Sequence, residues 1–228
     1  MQGSQGSQAL ALTLVFAAAL VASLSGMGTA DASVVIGGTR VVYPEKEREV
    51  TVKLTNEGDR PSLVQAWIDD GHANALPDES KVPFMLTPPL FRLDPKKGQS
   101  LRLIYMKAPL AQDKETLYWL NVLDVPPQAT DDPDAPNLLQ LAFRSRIKLF
   151  FRPAALQGVA DESAEKVTWN FAPKADGRYA LQAKNPTPYH VTFTKLTVKS
   201  GGATWTNDKG GMVEPGATEQ FDVGNVPS

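Results

Sequence analysis

Cysteine is absent from this chain of 228 residues, and histidine occurs only twice, as His72 and His190. Without a thiol the chain can form neither a disulfide nor a thiolate nucleophile, so its core alone must hold it together. An isolated histidine is more often structural than catalytic or metal-binding. The sequence therefore predicts no enzyme active site, no metal site and no cofactor.

An excess of positive charge is also absent, because 23 Lys and Arg stand against 25 Asp and Glu, for a formal net charge of -2. Such a balance gives no general basic surface, so nucleic acid is not an expected partner. Gly37-Gly38 leads into a strand pattern rather than a helix, which argues against a phosphate-binding loop. Asp69 and Asp70 would point to opposite faces of a strand, so they cannot act together as in a glycosidase, and we interpret them as a solvated turn.

An apolar run at residues 10–25, LALTLVFAAALVASLS, carries no charge but is shorter than the roughly 20 residues that span a bilayer. Ala30 and Ala32 follow it with the spacing of a signal-peptidase site, which predicts a signal peptide over 1–32, cleavage before Ser33 and secretion. Residues 1–9 contain no Lys or Arg, so either the n-region is weak or the true start lies elsewhere. The alternative is a short membrane anchor.

Apolar and polar residues alternate with period two along most of the remaining chain, as at 50–55 and 101–106. Turn signals such as Asn56-Glu57-Gly58-Asp59 separate the alternating runs, and 18 prolines disfavour long helices. Several short strands with this spacing predict an all-β protein built as β-sandwiches.

Residues 152–158, RPAALQG, end the strongest strand pattern and predict a boundary between domains at 33–152 and 159–228. The second domain shows five or six strand patterns, whereas an immunoglobulin-like sandwich needs about seven strands. It is therefore expected to lack its last strands, either because the chain is cut short or because the domain is incomplete.

The most informative segment is 138–152, LLQLAFRSRIKLFFR, where odd positions are mostly apolar and most even positions are basic. At about 3.4 Å per residue, a strand of this length reaches roughly 45 Å, well beyond a common strand. Part of its apolar face is thus predicted to lie outside its own core. The alternative is a long central strand that is fully covered, with a solvated basic face.

Seven segments in order carry a family resemblance. They are GTRVVYP (38–44), LVQAWID (63–69), LTPPLFRLDP (86–95), LRLIY (101–105), TLYWLNVLDVPP (116–127), NLLQLAFRSRIKLFFRPAAL (137–156) and KNPTPYHVTF (184–193). The chain resembles the periplasmic chaperones of the chaperone–usher pathway, which assemble pili. The resemblance implies two immunoglobulin-like domains in a boomerang arrangement. The short loop at 126–137 and the lack of cysteine are similar to the short-loop branch.

The resemblance also implies the binding residues. Arg40 and Lys148 match the cations that bind the terminal carboxylate of a pilus subunit. Leu139, Leu141 and Phe143 match the residues of a donor strand, which replaces a strand that the subunit lacks. Binding by such a strand needs no ATP, and release would come from exchange with another subunit's strand.

Further positions match surfaces for other contacts. Docking to an outer-membrane usher is implied for Leu63, Gln65, Thr87, Pro88, Pro89 and Leu90. Glu115 and Arg152 match an interdomain ion pair whose third member, an Asp, belongs to a segment that this sequence does not contain. Trp67 matches a core residue and is interpreted as packing alone. The expected partners are pilus subunits and an usher, with a self-capping homodimer left open.

Two other classes remain as alternatives. A pilus subunit or cell-surface adhesion module could have a similar sandwich, although a subunit would carry a free N-terminal donor strand and usually a cysteine pair. A sugar-binding sandwich would need exposed aromatic residues, for which Trp205 is the one loose candidate.

Overall fold

The computed structural model describes residues 33–128, 140–174 and 179–224; the predicted signal peptide lies outside these residues. The strands are β1 (Val34–Ile36), β2 (Arg40–Pro44), β3 (Val50–Asn56), β4 (Ser62–Asp69), β5 (Phe84–Thr87), β6 (Leu90–Leu93), β7 (Gly98–Tyr105), β8 (Thr116–Val125), β9 (Phe143–Arg152), β10 (Thr168–Pro173), β11 (Tyr179–Lys184), β12 (Val191–Phe193), β13 (Leu196–Ser200), β14 (Ala203–Asn207), β15 (Gly211–Val213) and β16 (Thr218–Phe221). Two short 3₁₀ segments, Pro77–Glu79 and Ala160–Lys166, interrupt them. Within the described ranges, none of the helical segments is long and apolar enough to cross a membrane.

The first sandwich consists of two sheets. One has the strand order β1-β3-β7-β5 and the other β2-β9-β8-β4-β6. The period-two pattern explains this arrangement, since alternate residues of each strand face the space between the sheets. The core includes the fully buried side chains of Tyr43, Leu101 and Phe151. The Tyr43 hydroxyl accepts a hydrogen bond from the Tyr105 amide at 3.0 Å, so the one polar atom of that ring has a partner.

The second sandwich has its own core. Its described strands form a sheet of order β10-β11-β16 and two antiparallel pairs, β12-β15 and β13-β14. Val191, Leu196, Val213 and Phe221 pack together in its interior. The prediction of an all-β chain with two sandwiches is therefore confirmed, while the boundary at residues 152–158 stays a prediction.

The parallel pairing of β2 with β9 sets the position of the site. Arg40 lies opposite Lys148, and the pairing continues as far as Pro44 opposite Arg152. On its other side β9 pairs with β8 along its length, from Phe143 opposite Asp124 to Phe151 opposite Thr116. Between Phe143 and Ile147 the edge of β9 away from β8 therefore has no strand beside it among the residues described.

The prediction of one strand over 138–152 is wrong at 140–142, because β9 begins at Phe143, while residues 138 and 139 lie outside the described residues. The partner strand explains the difference. Strand β8 ends at Val125, one residue beyond the partner of Phe143, so a strand that started before Ala142 would have no ladder on that side. Gln140, Leu141 and Ala142 are not part of a strand.

Candidate functional site

Two cations lie together on the outer face of the five-stranded sheet. Arg40 on β2 and Lys148 on β9 occupy opposite positions in the parallel ladder. Trp119 is opposite Lys148 on the other side, and its ring centroid lies 6.0 Å from the Lys148 ammonium. The ammonium donates a hydrogen bond to the Thr192 hydroxyl of the second sandwich at 3.0 Å.

The electrostatics of this pair favour an anion. Burial holds the pKa of Lys148 below its usual value, and the neighbouring Arg40 lowers that pKa further. Among the described residues, neither side chain forms an ion pair with a carboxylate. A bound anion would supply the counter-charge that the two cations lack.

Exposed apolar side chains follow along the same strand edge. Leu141 is 47% exposed, and Phe143, the first residue of β9, is 36% exposed. Phe143 has the same parity as Leu149 and Phe151, which are fully buried, so the apolar stripe continues past the end of the core. Leu139, the third predicted donor residue, lies outside the described residues.

The basic face of β9 is paired with acceptors and aromatic rings. Arg146 donates two hydrogen bonds to Asp69, at 2.6 and 3.0 Å. Its guanidinium lies 4.1 Å from the Trp119 ring centroid. Arg144 donates to the Asn121 amide oxygen at 2.7 and 3.0 Å and lies 4.8 Å over the Trp67 ring. These contacts hold the two arginines in place, while their side chains remain partly exposed to solvent.

The interpretation of Asp69 as part of a solvated turn is also wrong. Asp69 is the last residue of β4 and is fully buried. Besides Arg146, it accepts hydrogen bonds from the Asn121 amide at 2.7 Å and the Gly71 backbone at 2.8 Å. Burial alone would raise the pKa of Asp69, but these hydrogen bonds outweigh it and hold the pKa below its usual 3.8. The sequence does not reveal this burial, because its partners come from β8 and β9.

The predicted pair of Glu115 and Arg152 lies in the first sandwich and contacts the second through His190. Arg152 donates to Glu115 at 2.8 Å. On the other carboxylate oxygen, Glu115 accepts the His190 backbone amide at 2.9 Å, and the His190 ring nitrogen lies 3.3 Å away. His190 was interpreted as an isolated structural residue, and its role here was missed because no spacing rule links it to Glu115, 75 residues earlier.

Glu115→Gln is expected to lower the free energy of unfolding by about 1–3 kcal/mol near neutral pH, because the buried donors of Arg152 and His190 lose a charged acceptor. Burial raises the pKa of Glu115, but the hydrogen bonds from His190 and Arg152 outweigh it and hold the pKa below its usual 4.5. A lowered pKa stabilises the fold above 4.5 and stops doing so as pH falls through the folded-state value. The difference in unfolding free energy between parent and variant should therefore shrink as the pH falls below 4.5 and through the folded-state pKa.

Denaturant unfolding at neutral pH and along an acid titration measures this effect. Glu162→Gln is the matched control, since Glu162 pairs with Lys166 at 3.5 Å on the surface and should change little at any of these pH values. An equal loss for Glu115→Gln at every pH would show that the charge of Glu115 does not matter.

Of the predicted usher-docking residues, Leu63, Gln65 and Leu90 lie on β4 and β6 at one edge of the five-stranded sheet, and Thr87 ends β5 of the other sheet. Gln65 on β4 lies opposite Leu90 on the edge strand β6, and the Ala66 amide donates to the Pro89 carbonyl at 2.8 Å. Leu63 and Leu90 are 47% and 56% exposed. Thr87 and Pro88, joined by a cis peptide bond, lie directly before Pro89 and Leu90 in the chain. Trp67 on the same strand is 8% exposed, but it packs on the outer face under Arg144 rather than in the core.

Comparison with known proteins places this geometry in a family. Residues 33–157 match the family described as "Pili and flagellar-assembly chaperone, PapD N-terminal domain", and residues 162–228 match "Pili assembly chaperone PapD, C-terminal domain". The chaperone protein FimB/FhaD of Bordetella pertussis is 50% identical over 190 residues, which are 82% of this chain and 75% of that protein.

Solved structures agree with these matches. The Pseudomonas aeruginosa CupB2 chaperone is 42% identical with a TM-score of 0.70, over 82% of this chain and 87% of that one. The Salmonella enterica SafA pilin in complex with the SafB chaperone gives 29% identity and a TM-score of 0.69, over 86% of each chain. The chain therefore belongs to the PapD-like family of periplasmic chaperones that assemble pili.

Proposed function

We propose that this chaperone holds a pilus subunit by two adjoining contacts. Arg40 and Lys148 bind the terminal carboxylate of the subunit, and the unpaired edge of β9 accepts a subunit strand. The observation that carries the proposal is the position of the two cations. They stand without a carboxylate partner among the described residues, at the first pair of the β2–β9 ladder, and the edge of β9 before that pair is free.

The anchor has the chemistry that a peptide terminus requires. A carboxylate that leaves water needs charge-assisted hydrogen bonds, and Arg40 and Lys148 supply both charge and donors. The partial burial that lowers the pKa of Lys148 also excludes the water that would compete for the bound anion. Binding there relieves the repulsion between the two cations.

The position of the anchor sets the direction of the bound strand. A subunit that ends at Lys148 and pairs with the free edge must extend from Ile147 towards Phe143, so it runs parallel to β9 and in line with β2. Its backbone groups then pair with those that β9 leaves open, and the edge is covered. The anchor thus fixes the register, because a slip of one residue would put every side chain on the wrong face.

The apolar side chains at the start of β9 complete the contact. Phe143 and Leu141 are exposed in the free chain, so a subunit with an open groove can bury them. Leu139 remains the third proposed donor residue. Burial and hydrogen bonding alone would hold the subunit, so no nucleotide is needed. Without a subunit, the same edge is free to pair with a second copy of the chain.

Phe143→Ser is expected to weaken subunit binding roughly tenfold to a hundredfold, since a large buried side chain contributes about 1.5–3 kcal/mol. The measurement is the affinity for a purified pilus subunit, or the protection of that subunit from proteolysis in a periplasmic extract. Leu141→Ser should act in the same direction.

Leu76→Ser is the matched control, because Leu76 is 61% exposed but lies away from β9, before the 3₁₀ segment Pro77–Glu79. It should leave binding unchanged. Full binding by Phe143→Ser would exclude this residue from the donor strand.

The proposal has two further parts, a docking surface and a cleavage site. The edge surface with Leu63, Gln65 and Leu90 is proposed to dock the outer-membrane usher, supported by the exposure of its leucines. Cleavage is proposed before Ser33, supported by the start of the family match at residue 33 and of the first strand at Val34.

A further inference from the structure

Asp124 is a buried carboxylate that the chaperone function does not use. It lies on the core-facing side of β8 and is 5% exposed. One carboxylate oxygen, Oδ2, accepts hydrogen bonds from the Ser33 hydroxyl at 2.7 Å and from the Val34 amide at 3.2 Å. The other, Oδ1, is buried and has no hydrogen-bond partner in the described part of the chain. Such an oxygen is costly in a folded protein, so a donor is expected nearby.

Ser33 is held firmly beside this carboxylate. Its carbonyl accepts the Glu57 amide at 2.7 Å, and its hydroxyl lies 2.9 Å from that of Ser62. A Cβ atom at Gly58 would come within 2.7 Å of the Ser33 Cβ, so the loop leaves no space for a side chain there. The α-nitrogen of Ser33 is three covalent bonds from a hydroxyl that touches Asp124. The nitrogen is therefore anchored beside this carboxylate, one residue before the Val34 amide that already donates to Oδ2.

We propose that the α-ammonium group formed by cleavage before Ser33 binds Asp124 and supplies the donor that Oδ1 lacks. This inference rests on the proposed cleavage site. In the uncut chain the same nitrogen is an uncharged amide with a single hydrogen. After cleavage it carries a positive charge and several donors, and charge-assisted hydrogen bonds are roughly twice as strong as neutral ones.

A consequence is that removal of the signal peptide completes the first sandwich. The ammonium would join β1 to the end of β8, the strand that also pairs with β9. The mature chain would then be more stable than any form with residues before Ser33. Processing and stability of the chaperone would be linked through one carboxylate.

The test compares three purified chains with defined starts, produced without the signal peptide. One begins at Ser33 with a free amine, one begins at Ser33 with an acetylated amine, and one retains Ala32. The free-amine chain should melt about 2–4 °C above the other two. In the Asp124→Asn background the three melting temperatures should coincide. Equal melting temperatures in the parent background would overturn the proposal.

A second measurement uses only the parent chain, so it tests the proposal even if Asp124→Asn does not fold. The pH dependence of acylation of the α-amine in the parent chain gives its pKa, which pairing should raise above the usual value of about 7.7–8.0. An α-amine pKa within the usual range of about 7.7–8.0 would also overturn the proposal. Mass spectrometry of the protein from the periplasm tests the cleavage site separately, because the defined chains test the pairing whatever the natural start is.

Discussion

Lys148→Ala is expected to abolish retention of a pilus subunit while the chaperone stays folded. Removing one cation from a buried, hydrogen-bonded charge pair costs about 2–5 kcal/mol, or roughly thirtyfold to several thousandfold in affinity. The fold should tolerate the change, because the side chain points out of the core towards Thr192. Burial and Arg40 both disfavour its charge, so stability should fall little or even rise.

The measurement is co-purification of a subunit from periplasm, together with the thermal unfolding of each variant. Arg40→Ala should act in the same direction. Lys97→Ala is the control, since Lys97 is an exposed lysine on the same sandwich and should retain the subunit fully. If Lys148→Ala and Arg40→Ala both protect the subunit as well as the parent does, the anchor lies elsewhere.

Asp69→Ala is expected to give a large loss of stability. Asp69 is fully buried and accepts hydrogen bonds from Arg146, Asn121 and the Gly71 amide. Its removal leaves a guanidinium without its acceptor, and breaking a buried ion pair from one side costs about 3–5 kcal/mol. Arg144 and Arg146 would still stack on Trp67 and Trp119, but Arg146 would lose the acceptor that orients it.

Denaturant unfolding measures this loss, and Asp94→Ala is the matched control. Asp94 pairs with Arg92 at 2.8 Å, but both side chains are more than half exposed, so its loss should be well under about 1 kcal/mol. The pKa of Asp69 lies below 3.8, so the difference between parent and Asp69→Asn should shrink as pH falls through the folded-state value. Similar losses for Asp69→Ala and Asp94→Ala would contradict the assignment.

The sequence predicts the fold through its period-two pattern, because alternation alone identifies which side of each strand enters a core. Residues such as Leu101, Leu103, Leu149 and Phe151 follow this rule and are fully buried. The limit appears at strand ends. Residues 140–142 continue the alternating pattern, but a strand exists only where a neighbour offers a ladder, and β8 ends at Val125.

The site could be predicted only in part. Arg40 and Lys148 were identified by resemblance, and pattern alone could not have paired residues 108 positions apart in a parallel ladder. Asp69 and His190 show the complementary limit. Each has a strongly polar side chain that sequence reasoning assigns to a surface or leaves unexplained, and each is buried because its partners arrive from distant strands. Long-range partners of this kind leave no signal in the spacing of a single sequence.

The hydrogen bond from Lys148 to Thr192 has a practical consequence for genetic work. Together with the contact of Glu115 to His190, it makes the position of the anchor depend on the second sandwich. A change in the interior of that sandwich, at Val213 on β15 for example, would shift Thr192 because β15 pairs with β12. Screens for defective pilus assembly should therefore recover substitutions at positions that no subunit contacts. Second-site suppressors of these substitutions should restore packing rather than charge.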